Sequence, residues 1–267
     1  MLPEFRFVSV RNPSHDCIVV RWAMIPNGYD SSKLSFEILR SSSPTGPFDL
    51  LAEVEQGAFY YADYDVLDVN TYRNYYYIVR TLDIEGRGYK DSAPQKLSHD
   101  PDGVALGMVR KKNVFLRTRS GVASAVLVRK NWGAKCSKCY DELRGLPTDA
   151  DCPECYGTGY TGGYLKPVFV PALMVEAGKN YAEGMQPGST IFEVANEPIL
   201  KPKDVLVDRV LNKRYEVVSV DPRTHRLYTV CQLVTVTRID DNSVVYTIPI
   251  PETLESTRAQ SHDMAKD

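Results

Sequence analysis

The chain has 267 residues, 43% of them hydrophobic and 25% charged, a size that calls for two or three compact units with separate cores. Its 32 Lys and Arg against 34 Asp and Glu leave a formal charge of −2, which excludes a global field for drawing in nucleic acid, so any such contact must be local. The start, Met1-Leu2-Pro3-Glu4-Phe5-Arg6, lacks a basic stretch followed by a long apolar run, and no later segment approaches the roughly 18 apolar residues of a membrane span. The expectation is a soluble chain made in a cytoplasm, with no membrane contact.

Residues 5–97 alternate short β-like runs with turns. The clearest runs are Cys17-Ile18-Val19-Val20-Arg21-Trp22, Leu34-Ser35-Phe36-Glu37-Ile38-Leu39 and Tyr75-Tyr76-Tyr77-Ile78-Val79. Ile25-Pro26-Asn27-Gly28, Ser43-Pro44-Thr45-Gly46-Pro47 and Ile84-Glu85-Gly86 supply the turn residues. Strands at this spacing without helical periodicity predict a small β-sandwich, and 17 tyrosines suit a pleated surface. With Trp22 on the second strand and Val69 followed by Tyr75, Tyr77, Val79 and Thr81, then Asp83 and Gly86 in a turn, the stretch resembles a fibronectin type III module. The resemblance implies that Tyr75 is the corner tyrosine; Val69 and Thr71 depart from the usual Leu and Pro. Tyr60, Tyr61 and Tyr64 read as core and edge packing, with an exposed aromatic contact patch as the alternative.

Ser98-His99-Asp100-Pro101-Asp102-Gly103 is a polar break, after which Asp100 or Asp102 is placed to cap a short helix from near Val104 towards Arg117, with Val104, Met108 and Val109 on one face. Between Gly103 and Tyr140 there is no Asp or Glu, while Arg110, Lys111, Lys112, Arg117, Arg119, Arg129, Lys130, Lys135 and Lys138 accumulate. Such a stretch could grip phosphates, or its lysines could offset a negative metal–thiolate centre. Residues 122–128 read as a strand leading into the next motif.

That motif is Cys136, Cys139, Cys152 and Cys155, a C-x2-C-x12-C-x2-C array. In a reducing compartment two such knuckles point to a metal held by four sulfurs rather than to disulfides. Four thiolates close a tetrahedron around Zn2+ and leave no position for water or substrate, so the expected cofactor is a structural zinc. The glycines in Cys155-Tyr156-Gly157-Thr158-Gly159 allow a tight turn whose amides point at the sulfurs. Gly157-Thr158-Gly159-Tyr160-Thr161-Gly162 matches G-x-G-x-x-G in letters, but it trails a metal knuckle instead of opening a helix and carries no dinucleotide. Cys17 and Cys231 lie in apolar runs and read as buried hydrophobes.

Lys166-Pro167-Val168-Phe169-Val170-Pro171 is extended, as its prolines demand. Strand-like runs follow at 205–207, 215–220, 226–237 and 243–248, with turns at 221–225 and 240–242, and predict a small antiparallel barrel or sandwich. From Pro251 onward the residues suit a flexible tail. His15, His99, His225 and His262 are scattered, and no P-loop, G-x-S-x-G or H-E-x-x-H motif occurs, so the chain reads as non-enzymatic with no catalytic residues.

The cysteine array with Cys152-Pro153-Glu154-Cys155-Tyr156-Gly157-Thr158-Gly159 and Gly162-Gly163-Tyr164, followed by Asp204-Val205-Leu206-Val207-Asp208-Arg209, Lys213-Arg214-Tyr215-Glu216-Val217-Val218 and the strand bearing Gln232, resembles neck proteins of tailed bacteriophages, the adaptor and head-closure type. The C-P-x-C-x-G-x-G segment alone also resembles the zinc repeats of J-domain co-chaperones, but one repeat occurs and no J domain accompanies it. The phage resemblance implies a virion location, a ring of copies at the head-to-tail interface, and portal, adaptor and tail proteins as partners, with packaged DNA as a contact for Arg110, Lys111, Lys112, Arg117 and Arg119. The expected layout is mainly β: a fibronectin-like sandwich over 1–98, a linker with short helix and zinc ribbon over 99–165, a β-rich adaptor domain over 166–252 and a tail over 253–267. A zinc-ribbon nucleic-acid binder and a tail or baseplate component with a surface-binding sandwich are the alternative functions.

Overall fold

The computed structural model describes residues 2–14, 17–54, 56–66, 75–86, 88–97, 102–120, 124–175, 189–226 and 228–251. The architecture is mainly β. The first seven strands are β1 (Phe5–Ser14), β2 (Cys17–Met24), β3 (Leu34–Ser41), β4 (Asp49–Val54), β5 (Tyr60–Asp63), β6 (Tyr76–Asp83) and β7 (Tyr89–Asp91). They form two antiparallel sheets, β1-β2-β5 and β4-β3-β6-β7, the sandwich expected for this stretch. Alternation drives it: on β6 Tyr77, Val79, Thr81 and Asp83 point inward while their neighbours remain partly exposed. Trp22 of β2 meets Phe36 of β3 with ring centroids 5.2 Å apart at the centre of this core.

Tyr75 is not the buried corner tyrosine that the resemblance implies. The buried hydroxyl belongs to Tyr77, which donates to Asp63 at 2.8 Å beside the Arg40 guanidinium, also 2.9 Å from Asp63, while Tyr75 lies under Arg40 as a cation–π partner. Val69 and Thr71 fall outside the described residues. Tyr60 and Tyr61 pack against the core, whereas Tyr64 is exposed.

The capping residue of the helix is Asp102, whose carboxylate accepts from the amides of Val104 and Ala105 at 3.0 Å each. The helix, α1 (Gly103–Ser120), buries Ala105, Leu106, Val109 and Leu116 against the strands behind it; of the three residues that spacing groups on one face, Val109 is buried while Val104 and Met108 are exposed.

The remaining strands are β8 (Ser124–Leu127), the short β9 (Tyr140–Asp141) and β10 (Leu146–Pro147), β11 (Val168–Val170), β12 (Ala172–Val175), β13 (Ser189–Val194), β14 (Val205–Asp208), β15 (Lys213–His225) and β16 (Tyr228–Arg238). Seven form one antiparallel sheet in the order β11-β8-β14-β15-β16-β13-β12. Only Pro171 separates β11 at one edge from β12 at the other, so the sheet curls until its edges meet and closes as a barrel. Val126, Val170, Phe192, Val194, Leu206, Val217, Val234 and Val236 fill the interior. Gln232 is wholly buried, but its amide is satisfied, accepting from the Leu200 amide and donating to the carbonyls of Ala195 and Pro198.

The barrel therefore begins at β8, and the cysteine array is an insertion between β8 and β11. Residues 221–225, expected as a turn, continue β15, because Pro222 sits opposite Gln232 near the hairpin end and the turn is made at Arg226, φ +54. Residues 243–248, expected as a strand, hold a 3-10 turn over Val244–Thr247. The buried Arg214 guanidinium takes the carbonyls of Val245 and Ile248, which replaces a strand ladder for this segment.

Candidate metal centre

The insertion is a stem with two knuckles. In the stem, Arg129 bridges to Tyr164 and Lys135 to Tyr160, and the Cys136 amide donates to Gly159 at 2.9 Å. The antiparallel pair β9-β10 crosses between the knuckles. All four sulfurs lie within 4.8 Å of one another, with Cys136 and Cys152 3.7 Å apart and Cys139 and Cys155 3.3 Å apart. Each cysteine is at most 6% exposed. The group is compact, dry and built only from sulfur, and it can hold a metal ion.

Glycine makes the second knuckle possible. Gly157 turns at φ +71, and a Cβ there would stand 2.6 Å from the Ala150 carbonyl oxygen. The tight turn aims the Gly157 and Gly159 amides at the Cys155 sulfur and those of Glu154 and Cys155 at Cys152. Burial pushes the Cys152 thiol up, but these amides and the neighbouring sulfurs outweigh it and bring the thiol down to about 7. Burial pushes Cys139 up, and the crowding of the other three sulfurs adds to the rise. Four thiols this close resist shedding their protons together unless a cation shares the charge, which is the electrostatic signature of a metal–thiolate site.

Lys138 pairs with Glu154 at 2.8 Å and is raised first by that bond and then by the nearby Cys152 and Cys136 sulfurs, while Lys135 lies 4.1 Å from the Tyr140 ring centroid. Both lysines thus serve the knuckles. Arg129 donates to the Gly157 carbonyl at 3.0 Å, and Lys130 donates to Thr161 at 2.9 Å and to Ser31 at 3.3 Å. On α1, Lys112 is paired with Glu193 at 2.6 Å. The basic stretch is therefore split, and Arg110, Lys111, Arg117 and Arg119 remain exposed together on one helix.

Sequence reasoning passed over Trp132. It stands in the stem, is 3% exposed, and belongs to the core of the amino-terminal sandwich together with Leu165. The next residue, Gly133, comes so close to Ser31 that a Cβ would lie 3.2 Å from its Oγ. The Lys166 amide donates to Gly57 at 3.1 Å. On the barrel side, Tyr156 and Tyr164 pack over β8 and β14, and Asp204 accepts from the Arg129 amide at 2.8 Å. The metal stem is thus shared between sandwich and barrel. A lone tryptophan among Lys130, Asn131, Gly133 and Lys135 carried no periodic signal that it was buried.

Cys17 and Cys231 are buried as expected, each away from the four-sulfur group. The Gly157 to Gly162 run forms turns with no helix after it. His225 lies on β15; His15, His99 and His262 fall outside the described residues, as do 98–101 at the expected first boundary and 252–267 of the expected tail. No helix among the described residues is long and apolar enough to cross a membrane.

No protein-family model matches the chain and no curated protein matches it. Among solved structures, titin kinase and its flanking domains is similar at 8% identity and a TM-score of 0.26, over 89% of this chain and 37% of that one. A likeness at that level carries no argument about activity.

Proposed function

We propose that the four cysteines hold one structural Zn2+ and that the protein is a non-enzymatic structural subunit, assembled as a ring at the neck of a tailed bacteriophage virion. The observation that carries the reading is the dry four-sulfur cluster seated on a stem shared by two β domains. A zinc tetrahedron with Zn–S bonds of about 2.3 Å has sulfur–sulfur edges of about 3.8 Å, and pairs at 3.7 and 3.3 Å in a group whose sulfurs all lie within 4.8 Å of one another reach it with small shifts. Saturated by four thiolates, such an ion has no open position for chemistry and contributes rigidity. The resemblance of the array and its following strands to neck proteins supplies the location, and portal, adaptor and tail proteins as neighbours. The ionic commitments of Lys112, Lys135 and Lys138 favour this reading over a zinc-ribbon nucleic-acid binder, because they leave a short basic face in place of a continuous arm.

Electron microscopy of purified particles tests it. The expected result is density for this chain in a closed ring between head and tail; density at the baseplate, or none in the particle, overturns the location.

A further inference from the structure

The outward face of α1 has an apolar centre and a basic border. Val104, Val114, Met108 and Phe115 are 61%, 57%, 42% and 42% exposed, although the helix already buries another face against the barrel. Arg110, Lys111, Arg117 and Arg119 surround them, and the helix carries no acidic residue. Gly107 opens a shallow depression lined also by Arg110, Lys111 and Val114, with nothing within 4 Å of where its Cβ would stand. A face of this kind fits a partner that brings a protruding apolar side chain rimmed by carboxylates.

The metal ribbon of the same chain has that form. The turn between β9 and β10 holds Leu143 fully exposed, and Leu146, which opens β10, is 64% exposed. The same ribbon carries Asp141, Glu142, Asp149 and Asp151, with Arg144 the one cation between Asp141 and Asp151 in sequence, paired to Asp141 at 3.5 Å. The helix and the base of the ribbon spring from different walls of the barrel. α1 lies over β16 and β12, the ribbon tyrosines lie over β8 and β14, and β15 stands between them on one side and β11 on the other. A surface on one part of the chain and its complement on another is the arrangement of a heterologous contact, which repeats from copy to copy until it closes.

We infer that the β9-β10 turn of one copy, led by Leu143, docks in the depression over Gly107 on α1 of the next copy. The inference rests on the ring reading above and names its contact: Arg110 and Lys111 meet the carboxylates of the ribbon, and the apolar centre excludes water. Phosphates would satisfy the cations but not the exposed Val104, Met108 and Phe115, so the ribbon is the better complement.

Sedimentation of the zinc-loaded full chain over a concentration series tests the contact. The wild type associates, and less so as salt shortens the Debye length from about 10 Å at 0.1 M. Arg110→Glu with Lys111→Glu, and separately Glu142→Lys with Asp149→Lys, each weaken association by about tenfold or more, equivalent to about 1.4 kcal/mol. Mixing the two variants in equal amounts restores it, since each then offers the other an opposite charge; a misfolded variant could not be rescued this way. Leu143→Asp dissociates the copies while zinc content is unchanged. A wild type that stays monomeric, or a mixture that stays dissociated, overturns the inference. Equal association of all variants also overturns it while leaving a ring built through other surfaces intact. If reversing α1 instead abolishes binding to random duplex DNA or phosphatidylglycerol vesicles with association unchanged, the face serves phosphate and the contact is wrong.

Discussion

At Gly163 the chain turns at φ +60 with the Cβ position 2.6 Å from the Cys155 carbonyl oxygen, so the knuckle depends on the missing side chain. Gly163→Ala forces Cys155 to shift, and the expected outcome is a loss of about 1–3 kcal/mol in stability together with weaker metal retention, read by competition with a chromogenic chelator. Asp204 is a second residue with a measurable signature. It is 2% exposed, and burial raises its carboxyl from 3.8 to about 6, although the amides of Arg129 and Lys201 oppose the shift. The folded state therefore holds this proton more tightly than the unfolded one. Its contribution to stability is fullest below pH 4 and is lost as pH rises from about 4 to about 6, by an amount of the order of 3 kcal/mol. Denaturant unfolding at pH 4 and pH 6 should show this fall in the wild type relative to Asp204→Asn; parallel pH profiles would exclude it.

Trp132 joins the elements. It is anchored in the ribbon stem but buried in the sandwich, so Trp132→Ala removes core volume from a domain to which it does not belong in sequence. The expected cost is about 3–5 kcal/mol, with hydrogen-exchange protection falling on β2 and β6 while the four cysteines still bind metal. Loss of protection confined to the ribbon would contradict the shared stem. The same residue marks the limit of sequence reading. Alternation exposed β2, β3 and β6, and the cysteine spacing exposed the metal ligands, because both are local patterns. Trp132 packs across domains, and the segment 243–248 gives its carbonyls to Arg214 from a distant strand; neither partner can be read from neighbouring residues. The inward face of α1 is not legible in the sequence for a related reason. Its exposed face is nearly as apolar as its buried one, so spacing alone could not say which side meets the barrel.

Over the whole molecule, the sandwich and barrel cores are bridged by Val128 and Val168, which pack against both, and the two units also meet through the stem, α1 and the polar residues near Glu197. Arg21 of β2 reaches Glu197 at 3.5 Å, and Asn196 donates to the Pro13 carbonyl at 3.2 Å. Because the stem is one of these joints, metal removal should be felt beyond the ribbon. Chelation is expected to abolish hydrogen-exchange protection across the knuckles and to lower it in the sandwich around Trp132, with the barrel interior least affected. A sandwich unchanged by chelation would make the ribbon an independent appendage.

The claim on which the rest depends is that four thiolates hold one ion. Native mass spectrometry of the purified chain, with and without acid release of metal, measures this most directly. One zinc per chain, with all six cysteines present as thiols once the metal is released by acid, is the predicted result; a metal-free chain, or one lighter by the hydrogens lost to disulfides among Cys136, Cys139, Cys152 and Cys155, would contradict it.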